Sequence, residues 1–113
     1  MRTIHTDEIK AQVQQLCIEA NTSIDEKYIE HMRLCATRED SRRAAEILDI
    51  LIENNAYAIE RQVPLCQDTG MVVVFLEIGQ QIAFEGDSLY EAVNQGVAEG
   101  YRKGYLRCSV VAF

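Results

Sequence analysis

Val63-Pro64-Leu65-Cys66-Gln67-Asp68-Thr69-Gly70 runs directly into Met71-Val72-Val73-Val74-Phe75-Leu76, and the reading of this junction decides the fold. The stretch holds the only proline of the chain. Proline fixes φ and drives the residue before it toward an extended conformation, so the preceding helix should end near Arg61. Gly70 permits a positive φ at the far end of the turn. The six residues after it are β-branched or large and apolar, the pattern of a strand buried on both faces. A thiol, an amide, a carboxylate and a hydroxyl therefore stand on four consecutive residues, Cys66 to Thr69, in a polar loop held by a scaffold. Chemistry is expected here.

The surrounding 113 residues are one domain by length, with 48% hydrophobic residues and enough chain to bury a core. No stretch reaches the length of a membrane span, and the first eight residues lack the apolar segment of a secretory signal. A net charge of −7 argues against nucleic-acid binding, which needs clustered Lys and Arg. It leaves room for an anionic small molecule, because one well-placed Arg outweighs a distant negative surface. The four cysteines, at 17, 35, 66 and 108, are too widely spaced for a zinc knuckle or a thioredoxin-like pair. A reducing cytoplasm is the expected compartment.

Upstream of the loop the chain reads as three helices. Thr6 is the expected cap of the first, with Asp7 and Glu8 in its opening turn and Ile9, Val13, Leu16, Cys17 and Ala20 on one face. Ser23 with Glu26 has the form of a capping box for the second, which should bury Ile24, Tyr28, Met32 and Cys35. Asp40 or Ser41 should cap the third, with Ile47, Leu48, Leu51 and Ile52 turned inward. These helices read as scaffold.

Downstream the period changes. Met71–Ile78 is expected as a buried strand, Gln81–Glu85 as a short second one, and Tyr105–Val111 as another buried strand. Ser88 and Glu91 repeat the capping box and open a fourth helix with Leu89, Ala92, Val93 and Val97 on its apolar side. Gly96, Gly100 and Gly104 fall four apart. Each costs up to ~1 kcal/mol against alanine in a helix, so the row implies a backbone packed closely against something. The fold class is α+β: N-terminal helices, a small buried sheet and one further packed helix.

Cys17 and Cys35 lie on apolar helix faces and read as small buried hydrophobes. Cys66 differs, because a thiolate beside a turn can ligate a soft metal or act as a nucleophile, and Gln67 and Asp68 stand next to it. Cys108 is open to either reading. Asp68-Thr69-Gly70 also matches the tripeptide that carries the catalytic carboxylate of retroviral-type aspartic proteases. Those proteins are all-β and place a small residue after the glycine, where this chain has Met71.

A longer match runs from Pro64 to Gln80. Pro64-Leu65-Cys66-Gln67-Asp68-Thr69-Gly70-Met71-Val72-Val73-Val74-Phe75-Leu76-Glu77-Ile78-Gly79-Gln80 resembles the signature of class I, iron–sulfur fumarate hydratases, in the alpha-subunit form that includes tartrate dehydratases. The similarity takes in Leu16–Asn21 upstream, and Ala92–Val97 and Gly104–Val111 downstream. The resemblance implies a hydro-lyase that adds water to fumarate to give malate on a 4Fe-4S cluster held by three cysteines. It implies Cys66 as one cluster ligand, with Gln67 and Asp68 at the dicarboxylate. Arg107 would be a bidentate clamp for a carboxylate; the plain alternative is a surface charge. The implied partners are the remainder of an alpha subunit and a beta subunit, in an oligomer.

The chain also departs from that family. Alpha regions of the family are more than twice as long, and the other two cluster cysteines lie in the part not matched here. None of Cys17, Cys35 or Cys108 takes a ligand position, and Cys108 stands where the family carries lysine. The family runs on through Asp-Pro where this chain has Phe113. The expectation is an N-terminal portion, inactive alone, with no catalytic base of its own. The rival expectation is a non-catalytic module that keeps the fold and works in binding or assembly.

Overall fold

The computed structural model describes residues 1–110. In chain order the elements are β1 (Arg2–His5), α1 (Thr6–Thr22), α2 (Glu26–Arg38), α3 (Arg42–Arg61), β2 (Ile82–Glu85) and α4 (Leu89–Lys103). The architecture is α+β. Two packing units make it up: α1 lies along α4, and α2 folds back on α3 as a helical hairpin.

The α1–α4 contact explains the glycine row. A Cβ at Gly96 would stand 2.6 Å from the Lys10 carbonyl oxygen and 2.9 Å from Val13 Cβ. One at Gly100 would stand 2.8 Å from the Gln14 oxygen and 3.0 Å from Cys17 Cβ. The fourth helix thus lays its bare backbone on α1, and Val13, Cys17 and Ala92 are buried at the seam. Burying a valine side chain is worth about 1.5–3 kcal/mol, enough to offset the propensity cost of a glycine. Lys10 and Glu99 pair at 3.1 Å beside it.

The caps follow the expected residue types with local shifts. Ser88 Oγ accepts from the Glu91 amide at 3.2 Å and donates to Glu91 Oε2 at 3.0 Å, so both residues of the expected motif act at the start of α4. Ser41 caps α3 by accepting from the Ala44 amide. His5, not Thr6, precedes α1: its Nδ1 accepts from the Asp7 amide, and Thr6 is the buried first helical residue. Asp25, not Ser23, caps α2 by accepting from the Lys27 amide at 2.8 Å, while Ser23 closes the end of α1 on Glu19.

The inward faces of α2 and α3 match expectation at Met32, Cys35, Leu48 and Ile52, all half-buried, and differ at neighbouring positions. Ile29 is the buried residue of α2, and Tyr28, expected inside, is 68% exposed. A helix turns by about 100° per residue, so a one-residue change in register carries a side chain off the core face. On α3, Asn55 and Ala58 are buried while Ile47 and Leu51 are exposed. Asn55 is inward for a polar reason: its Oδ1 accepts from the Ile24 amide at 2.7 Å and ties the α1–α2 turn to α3.

Only one strand of the sheet was expected. β1 pairs with β2 in parallel, Arg2 opposite Ile82 and His5 opposite Glu85. Of the three expected strands, only Gln81–Glu85 is found, as β2. Met71–Ile78 has no regular structure, and its side chains are largely exposed, Phe75 at 92% and Met71 at 72%. Residues 105–110 are likewise irregular, and Val111 lies outside the described residues. The physical reason is pairing: an apolar run becomes a strand only where a neighbour takes its N–H and C=O groups, and no described segment does so.

Candidate active site

Pro64 follows α3 as expected, after Gln62 ends the helix in the left-handed conformation with φ +52°. The loop is then tied down at both ends. At its entry the Leu65 amide donates to the Asn21 carbonyl at 2.8 Å, and the Leu65 carbonyl accepts from Asn54 Nδ2 at 2.8 Å. At its exit Thr69 is buried; its Oγ1 donates to the Arg107 carbonyl at 2.6 Å, and its own carbonyl accepts from the Tyr101 hydroxyl at 3.0 Å. Gly70 takes φ +64°, the conformation its position calls for.

Between these anchors Cys66, Gln67 and Asp68 are exposed. The Cys66 thiol donates to the Asp68 carbonyl at 3.1 Å, and Asp68 Oδ1 accepts from the Gly70 amide at 3.0 Å. Each side chain is thereby folded against its own turn. Arg107 Nη2 stands 4.0 Å from Asp68 Oδ1, and Arg107 Nε is 3.4 Å from Ser109 Oγ. The Gly70 amide foremost, then Ser109 and the Arg107 guanidinium, hold the Asp68 carboxyl below its ordinary value. Both members of the Asp68–Arg107 pair are solvent-exposed, so the pair itself adds little stability.

The loop and Arg107 are therefore brought together, 38 positions apart along the chain at the Thr69–Arg107 bond. Cys108 is exposed next to Arg107, and Cys35 is half-buried. Cys17 is buried on the α1–α4 seam, where burial pushes its thiol above the ordinary value. Two open clefts flank the exit of the loop. One, of about 500 Å³, lies between α1 and the Met71–Phe75 run, and the other, of about 530 Å³, lies against α4 and residues 106–110. Thr69 stood in the loop singled out by sequence, whereas Tyr101 and Asn54 were not legible as site residues. Tyr101 reaches 32 positions to Thr69 and Asn54 reaches 11 to Leu65, and neither carries a local pattern.

As to a metal, Cys66 presents one exposed thiol that fits a single ligand position. Among the described residues no three His, Cys, Asp or Glu side chains gather to hold an ion. The donor set fits one ligand of a shared group and not a complete site. The aspartic-protease reading of Asp68-Thr69-Gly70 needs strands on both sides; here α3 precedes the loop and an irregular run follows it.

A family described as fumarate hydratase (Fumerase) matches residues 10–113. The chain belongs to the fumarate hydratase (Fumerase) family. The match runs over the Pro64–Gln80 signature, and this is a family of hydro-lyases. Among curated proteins the chain is 43% identical over 75 residues to a "Putative L(+)-tartrate dehydratase subunit alpha" of Methanocaldococcus jannaschii. That alignment covers 66% of this chain and 26% of the archaeal protein, so the chain spans about a quarter of the relative's length. No solved structure matches the chain. No helix among the described residues is long and apolar enough to cross a membrane.

Proposed function

We propose that this chain forms one wall of the active site of an iron–sulfur hydro-lyase that adds water to fumarate to give L-malate. The observation that carries the reading is the display of Cys66, Gln67 and Asp68 between two pinned residues, with Arg107 held against Asp68 at 4.0 Å. In a chain of net charge −7, a guanidinium exposed beside a polar loop is a specific invitation to an anion. Arg107 binds one carboxylate of the substrate through its planar fork. Asp68 then releases the guanidinium and accepts a hydrogen bond from the hydroxyl of the malate formed, and the Gln67 amide donates to a carboxylate oxygen. Cys66 is one ligand of a 4Fe-4S cluster, which when bound supplies Lewis-acid chemistry. The two other thiolates and the proton-abstracting base come from polypeptide outside these residues, and the chain alone is inactive. The archaeal relative is named as a tartrate dehydratase alpha subunit. By extension, a beta subunit completes this protein, in an oligomer working in the cytoplasm.

The test is reconstitution of the complete alpha subunit with its beta partner under anaerobic conditions. The expected result is a broad iron–sulfur absorbance together with hydration of fumarate, and loss of both on Cys66→Ser. Full activity in that variant overturns the ligand assignment. A rate with tartrate exceeding that with malate overturns the substrate choice. A second reading has its own support in the exposed Met71–Ile78 run: a binding or assembly module without catalysis. It requires that the complete subunit turn over neither substrate.

A further inference from the structure

We propose that Thr69 and Tyr101 are positioning residues: together they lock the central loop to the Arg107 segment and set the separation at which Asp68 and Arg107 meet a dicarboxylate. The inference rests on the substrate reading above for its ligand, and on the two hydrogen bonds for its mechanics. Thr69 is only 7% exposed, and its single hydroxyl proton is committed to the Arg107 carbonyl at 2.6 Å. Its carbonyl in turn takes the Tyr101 hydroxyl at 3.0 Å. One residue thus joins three segments: the loop, the stretch after α4, and α4 itself.

The chain of contacts continues into the most tightly packed part of the molecule. Tyr101 follows Gly100, whose backbone lies on Gln14 and Cys17 of α1. The rigidity of the α1–α4 pair is passed through the Tyr101 hydroxyl to Thr69 and from there to residue 107. Burial raises the Tyr101 hydroxyl above its ordinary 10.0, so it remains a donor at neutral pH. The opposite end of the loop is fixed separately at Leu65. Only Cys66, Gln67 and Asp68 stand between the two anchors. If Thr69 merely filled space, valine, with the same shape and no hydroxyl, would serve as well.

The test uses the complete alpha subunit assembled with its beta partner, comparing wild type with Thr69→Val, Thr69→Ser and Tyr101→Phe. Amide hydrogen exchange in the peptides that cover residues 66–68 and 107 is the first readout of loop order, and L-malate affinity is the second. In wild type and Thr69→Ser the loop amides should exchange alike, and in Thr69→Val about tenfold faster. Malate should bind about tenfold more weakly to Thr69→Val, the effect of one lost hydrogen bond, and within about twofold of wild type to Thr69→Ser. Unchanged loop order in a folded Thr69→Val chain overturns the proposal. If that variant loses its helical circular dichroism, Tyr101→Phe decides: loosened residues 66–70 support the lock, and wild-type order there overturns it. A complete wild-type subunit blind to malate, with a loop that loosens in Thr69→Val, leaves the lock standing and removes the substrate reading.

Discussion

Cys17 and Cys66 carry the same thiol in opposite settings. Cys17 sits on the α1–α4 seam, buried, while Cys66 is exposed on the loop. A thiol-specific reagent applied to the native chain should label Cys66 and Cys108 rapidly and Cys17 only on unfolding, as mass spectrometry of the labelled peptides will show. Burial also raises the Cys17 thiol above its ordinary 9.0. The folded chain therefore keeps this proton where the unfolded chain begins to release it. Its contribution to stability is complete below the unfolded value and is lost as pH rises through the folded one. Urea midpoints followed from neutral pH to about pH 10 should fall at the alkaline end, and Cys17→Ala should flatten that fall. At this scale the sequence was informative. Periodicity placed Cys17 inside, and the loop context set Cys66 apart. Tyr101 and Asn54 were invisible because a hydrogen bond between distant positions leaves no trace in local spacing.

At the level of elements, the α1–α4 pair is the part whose packing can be tested by adding a single methyl. Alanine is favoured over glycine in a helix by up to ~1 kcal/mol, so propensity alone predicts that Gly96→Ala stabilises. The Lys10 carbonyl oxygen at 2.6 Å from the new Cβ predicts the opposite. Backbone cannot rotate away, and we expect a net loss of about 2 kcal/mol by urea unfolding. Gln95→Ala, one position away on the exposed side, should stay within about 0.5 kcal/mol of wild type. A stabilised Gly96→Ala chain would show that the helices do not approach this closely. Helices were legible because they are local, and so were the caps at Ser41 and Ser88; Ser23 with Glu26 has the same spacing and forms no box, because Asp25 caps α2 in its place. Inward faces were less so, since Asn55 is buried to receive the Ile24 amide, a need that hydrophobic periodicity does not encode.

The whole molecule is extended. Its radius of gyration is 18.0 Å, against about 13 Å for a compact chain of this length. Its accessible surface is 8859 Å², where a compact monomer of this mass would show about 6,300 Å². The excess is larger than a standard protein interface of about 1,600 Å². Much of the apolar exposure falls on Met71–Ile78, with Val73 at 68% beside Met71 and Phe75. The isolated chain should self-associate at micromolar concentration through this run. Phe75→Glu should lower the apparent mass in light scattering while leaving the unfolding free energy of the monomer within about 0.5 kcal/mol of wild type. An unchanged mass would place the association elsewhere.

The sequence by itself determined the helices, the caps at Ser41 and Ser88, the turn at Pro64 and Gly70, and the loop residues that the family signature carries. Each of these depends on residues a few positions apart, through rotamer preference, local hydrogen bonding or fixed φ. Only the tertiary structure decided which apolar runs become strands. Met71–Ile78 has the composition of a buried strand and no partner among the described residues, whereas Arg2–His5, unremarkable as a sequence, pairs with Ile82–Glu85. A strand is a property of two segments, and its second half is not written in the first. The Val63–Leu76 junction shows both sides of this: its loop was readable, its strand was not, and the bonds that hold the loop came from residues 54, 21, 101 and 107.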